Sequence, residues 1–115
     1  ETIAKLVHSK GIPLIVDEAH GAHLGLAEGF AKNSCQCGAD LVIHSVHKTL
    51  PALTQSALLH VNGRLVDRER LRRFLHIYQS SSPSYVLMAG IDNALQLVGT
   101  FISCRWMPDR ISENW

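Results

Sequence analysis

The chain has 115 residues, 46% hydrophobic and 18% charged, with 11 Lys plus Arg against 10 Asp plus Glu for a formal charge of +1. That length fits one small domain or part of a larger one, and folding would bury roughly two-thirds of the unfolded chain's surface. The composition excludes intrinsic disorder, the near-zero charge argues against an electrostatic nucleic-acid binder, and no apolar run approaches the roughly 20 residues of a membrane span.

Residues 1–11 read as the middle of a helix, with Ile3, Leu6 and Val7 on one face and Gly11 at its stop. No capping residue opens that helix, so the chain reads as a fragment of something longer. Pro13 to Asp17 is a short apolar run led by proline, the pattern of a strand buried on both faces in a parallel sheet. Residues 18–29, rich in Gly, Ala and His, read as a loop. Leu41 to Val46 is a second apolar strand, residues 47–55 a loop around Pro51, and Ser56 to Val61 a third strand closed by the turn dipeptide Asn62-Gly63.

Asp67 to Ile77 is an amphipathic helix that Asp67 opens, with Leu71, Phe74, Leu75 and Tyr78 as its apolar stripe. Arg70, Arg72 and Arg73 form its solvated face. Residues 80–84 are a loop, and Tyr85 to about Phe101 a second, more buried helix with Tyr85 and Met88 in the core. The pattern is α/β, with residues 1–102 forming part of one domain and 103–115 an unassigned tail.

Two polar clusters stand directly after buried strands: Asp17-Glu18-Ala19-His20 and Ser45-Val46-His47-Lys48. In parallel α/β sheets ligands bind beyond the carboxyl ends of the strands, which places Asp17 and Lys48 where a cofactor would sit. Asp17-Glu18-Ala19-His20-Gly21-Ala22-His23, then Ser45 through Gln55, then Ser82-Pro83-Ser84-Tyr85, occur in that order. In this combination the chain resembles the major domain of the pyridoxal-phosphate-dependent ornithine/lysine/arginine decarboxylases. Those enzymes have the mainly parallel-sheet, aspartate-aminotransferase-like large domain of fold type I.

The resemblance implies a role for each residue. Lys48 would hold pyridoxal 5'-phosphate as a Schiff base, and Asp17 would keep the ring nitrogen protonated. Ala19 would pack on a ring face and His20 would lie near the phenolic oxygen. Ser45 and His47 would donate to the phosphate, and Ser82 and Ser84 would reach it from the second subunit of a homodimer. The implied reaction is decarboxylation of ornithine, lysine or arginine to the amine, in a chain inactive alone.

Two other readings compete. Val16-Asp17-Glu18-Ala19-His20 spells the acidic box of DEAH-type nucleotide hydrolases, yet no G-x-x-x-x-G-K-[ST] loop accompanies it. His20, His23, Cys35 and Cys37 have the right types for a zinc module, at weak spacing. His23, His44 and His60 otherwise read as packing or surface histidines. Three cysteines, Cys104 included, and no secretory signal point to a reducing, cytoplasmic setting.

Overall fold

A computed structural model describes residues 1–105, with side chains described through Thr100. Helix α1 (Thr2–His8) leads to strand β1 (Ile15–Asp17), then strand β2 (Leu41–Ser45), helix α2 (Val46–Thr49), strand β3 (Ala57–Val61), and helices α3 (Arg68–Tyr78) and α4 (Tyr85–Arg105). The order is α/β, as the hydrophobic patterning predicts. The expected tail lies, beyond Arg105, outside the described residues.

The three strands form one sheet in the order β1-β2-β3. β1 pairs parallel to β2, with Asp17 opposite Ile43, while β2 pairs antiparallel to β3, with Ser45 opposite Ala57. The described sheet is therefore mixed, where a mainly parallel one was expected. Connection length explains the difference: residues 18–40 allow a crossover, whereas residues 46–56 hold only the short α2 and reverse direction. The reversal ends at Gln55, whose backbone is left-handed at φ +68°, an uncommon conformation for a residue with a Cβ.

The core is small and centred on β2. Val42 and Val46 are fully buried, and Ala4, Ala22, Ala39 and Leu41 are buried as well. Gly11 has φ +68°, which suits the chain reversal after α1. Asp67 caps α3, its carboxylate accepting from the Arg70 amide at 2.9 Å.

Burial departs from the sequence pattern at four places. Among the described residues β1 is an edge strand rather than one buried on both faces, and Ile15 is 60% exposed. On α1, Ala4 faces inward while Ile3 and Leu6 are exposed. Of the α3 stripe only Leu71 is partly covered; Phe74, Leu75 and Tyr78 are exposed. Along α4, Ala94 is buried, but Tyr85 and Met88 lie exposed rather than in the core. An apolar stripe fixes which face can be covered; the covering itself requires a neighbouring element, and the described residues supply none here.

Candidate cofactor site

The carboxyl ends of the parallel pair β1 and β2 lie side by side, and the backbone beyond them is knitted together. The Glu18 amide donates to the Ile43 carbonyl at 3.0 Å, and the Ser45 amide to the Ala19 carbonyl at 3.2 Å. The turn after β1 is thus held against the end of β2. Ala19 also donates its amide to Asp17 Oδ1 at 3.1 Å, leaving Oδ2 without a partner among the described residues.

The segment after β2, expected as a loop, instead coils into α2. The Ser56 carbonyl sets this start: it accepts from the Val46 amide at 3.0 Å and from His47 Nδ1–H at 3.0 Å. Ser56 is itself buried and donates its hydroxyl to the Leu53 carbonyl at 2.6 Å. One turn of helix then carries Lys48 outward, exposed and with no ion pair among the described residues.

Asp17, Ala19, His20 and Lys48 line one open cleft of about 420 Å³, together with Glu18, Gly21 and Leu24. Four expected site residues from two segments thus converge. Ser45 and His47 stand beside the cleft without lining it, and the Ser45 hydroxyl does not cap α2. Ser82 and Ser84 are exposed and do not line it; Ser84 Oγ accepts from the Leu87 amide at 3.3 Å in the first turn of α4. Beside Lys48, the Thr49 hydroxyl is buried without a hydrogen-bond partner among the described residues, as is His23 Nδ1.

Behind the cleft lies a polar chain that the sequence reading missed. His44 Nε2–H donates to Glu18 Oε2 at 2.7 Å, with side chains only 6% and 14% exposed. The other Glu18 contacts come from Ser34, whose hydroxyl donates at 2.7 Å and whose amide donates at 3.2 Å. His44 Nδ1 lies 3.1 Å from His60 Nε2. Burial alone would push the Glu18 carboxyl up, but hydrogen bonds from His44 and Ser34 outweigh it and hold it below its ordinary value. Burial, then the neighbouring His44, pull His60 down. His44, which is buried, and His60, which is half-buried, are therefore packed with hydrogen-bond partners, a network that the packing reading did not foresee. The sequence signal was the alternation in β2, where Val42 and His44 fall on the same face and an inward imidazole requires a partner.

This geometry also bears on the competing readings. Glu18 faces Ser34 and His44, so it is not offered alongside Asp17 as a nucleotide-metal carboxylate would be. Among the described residues, no three His, Cys, Asp or Glu side chains gather as metal ligands, so His20, His23, Cys35 and Cys37 do not form a zinc site there.

Residues 1–114 match the Orn/Lys/Arg decarboxylase major domain. The chain belongs to this family. An arginine decarboxylase of Halalkalibacterium halodurans is 39% identical over 85% of the chain and 20% of its own length. The Bacillus subtilis protein YaaO is 46% identical over 89% of the chain and 22% of its own length. A UPF0425 pyridoxal phosphate-dependent protein of Methanothermobacter thermautotrophicus is 27% identical over 82% of the chain and 24% of its own length. The chain thus spans about a fifth of the length of these curated relatives. Among the described residues of this decarboxylase-family segment, no helix is long and apolar enough to cross a membrane.

Proposed function

We propose that this chain forms the cofactor-holding edge of a pyridoxal-phosphate-dependent decarboxylase that converts ornithine, lysine or arginine to the amine. The observation that carries the reading is the shared cleft of Asp17 and Lys48 at the carboxyl ends of the parallel strands β1 and β2. Family membership and two relatives named arginine decarboxylase support the chemistry, with arginine favoured among the three substrates.

The donor set fits pyridoxal phosphate. Lys48 offers an amine with no competing ion pair among the described residues, and Asp17 a carboxylate with one oxygen free. Ala19 and His20 line the same cleft, where a methyl group and an imidazole would suit a ring face and a phenolic oxygen. When bound, the cofactor supplies an electron sink for the pair left at Cα as CO₂ departs. Lys48 Nζ would hold the cofactor, and Asp17 would keep a proton on its ring nitrogen. Ser45 and His47 would face the phosphate. His47 Nδ1–H is committed to Ser56, so Nε2 is the atom left for that contact, and it donates there only when the ring carries both protons.

The remaining donors, including Ser82 and Ser84 contributed across a homodimer, belong to the intact fold type I enzyme. The 115-residue chain alone is inactive on this reading. Measuring CO₂ and amine produced by the intact enzyme from arginine, lysine and ornithine tests the proposal. Turnover of one of the three that Lys48→Ala abolishes is expected; no release from any of them with cofactor supplied overturns it.

A further inference from the structure

We propose that Glu18 is a positioning residue, whose carboxylate, clamped between Ser34 and the His44–His60 pair, holds the Asp17–Ala19 turn at the depth where Asp17 and Lys48 share one cleft. The inference rests on the functional reading above and extends it to Ser34, His44 and His60, which do not line the cleft. Glu18 lies in sequence between the two cleft residues whose placement matters most. Its backbone is tied to β2 through Ile43, and its side chain is tied to Ser34 on the far side of the 18–40 connection and to His44 inside β2. The turn is therefore gripped by two segments remote from it in sequence, β2 through Ile43 and His44, and the 18–40 connection through Ser34.

The chemistry of the chain gives it direction. A carboxylate only accepts, so the proton of the 2.7 Å bond belongs to His44 Nε2. His44 Nδ1 then faces His60 Nε2 at 3.1 Å, and with both rings neutral His60 Nε2–H donates inward. The result is a file of donors, His60 to His44 to Glu18, ending on the turn. Ser34 fills further acceptor positions of the carboxylate, so Glu18 is anchored from two sides and cannot swing into the cleft without breaking several charge-assisted bonds. Gly21 closes the arrangement: a Cβ there would run into the Glu18 side chain, so the turn and the carboxylate are packed as one unit. Function needs this because a displacement of about 1 Å between cooperating groups can cost on the order of 100-fold.

The test compares the intact enzyme with its Glu18→Ala and Glu18→Gln variants by two readouts other than turnover. The first is equilibrium affinity for pyridoxal phosphate, read by absorbance. The second is backbone hydrogen exchange of peptides covering residues 17–24 and 57–61. In Glu18→Ala we expect affinity to fall by about tenfold or more and residues 17–24 to exchange faster, while residues 57–61 keep their protection. Glu18→Gln keeps an acceptor for Ser34 and restores most of the affinity. Should Glu18→Ala expose the whole sheet, Ser34→Ala carries the test: it removes one hydroxyl bond, and a partial loss of affinity with the sheet protected is expected. Wild-type protein that shows no saturable binding overturns the functional reading. Saturable binding that Glu18→Ala and Ser34→Ala both leave unchanged overturns the positioning role alone.

Discussion

His8 Nε2–H donates to Asp40 Oδ2 at 2.7 Å, fastening α1 to the residue before β2 although 32 positions separate them in the chain. The same oxygen accepts the Leu14 amide at 2.8 Å, so one carboxylate, only 2% exposed, joins α1, the approach to β1 and the start of β2. Removing it leaves a half-buried amide without that partner. Asp40→Ala is expected to destabilise the fold by about 1–3 kcal/mol, measured by urea unfolding. His8→Ala should cost less, because His8 is 35% exposed and water reaches the place it vacates. Equal effects from the two would contradict the central position given to Asp40.

Gly63 supplies an independent check on that carboxylate. A Cβ at Gly63 would collide with Asp40 Oδ1 and Cγ, while the carboxylate is pinned by Leu14 and His8 and has no room to retreat. Gly63→Ala should therefore destabilise the chain by about 1–3 kcal/mol, the range for overpacking, whereas Gly29→Ala meets no atom within reach and should show only the strain of its positive φ. A neutral Gly63→Ala in urea unfolding would show that Asp40 moves freely.

Acid should weaken the fold in two stages. Burial, helped by His44, lowers His60, so the folded state favours its neutral form. The unfolded chain then binds the proton more readily, and the stability this contributes is present above about pH 6.5 and lost as pH falls through the lowered folded value. Burial opposes the charges of Glu18 and Asp40, but hydrogen bonds from His44 and Ser34, and from Leu14 and His8, hold both below their ordinary values. Their contribution is present above about pH 4 and lost below it. Thermal unfolding from pH 8 to 3 should show Tm falling in both windows, and His60→Asn should remove the upper one. A Tm that rises on acidification contradicts these signs.

At the cleft, Asp17→Ala should slow decarboxylation by the intact enzyme by at least on the order of 100-fold, through loss of a charge-assisted contact of about 1.5–3 kcal/mol together with the ring proton. Near-normal turnover would make Asp17 a turn former only.

Much of this was legible in the chain, for identifiable reasons. The apolar run of β2, the Asn62-Gly63 turn, the Asp67 cap and the stop at Gly11 are local signals written in adjacent residues. The placement of Asp17 and Lys48 near each other was legible because Asp17 ends one apolar run and Lys48 stands three residues beyond β2, and strand ends place residues in space. Direction of pairing was less so: the apolar residues of β3 mark a strand but not which way it runs beside β2, and only the short connection through Gln55 reveals that it is antiparallel. The Glu18–His44 pair was hidden because its members are 26 positions apart and each has a bland local reading. Tyr85 and Met88 were misjudged for a different reason: side-chain hydrophobicity does not tell what stands opposite a helix.

The most direct test of the central claim is reduction of the intact enzyme with borohydride in the presence of pyridoxal phosphate, followed by peptide mapping. The chain contains four lysines: Lys5, Lys10, Lys32 and Lys48. The account predicts that, among these, the cofactor is trapped on Lys48 and that Lys48→Ala abolishes the label. Label on Lys5, Lys10 or Lys32 with Lys48 unmodified would contradict it.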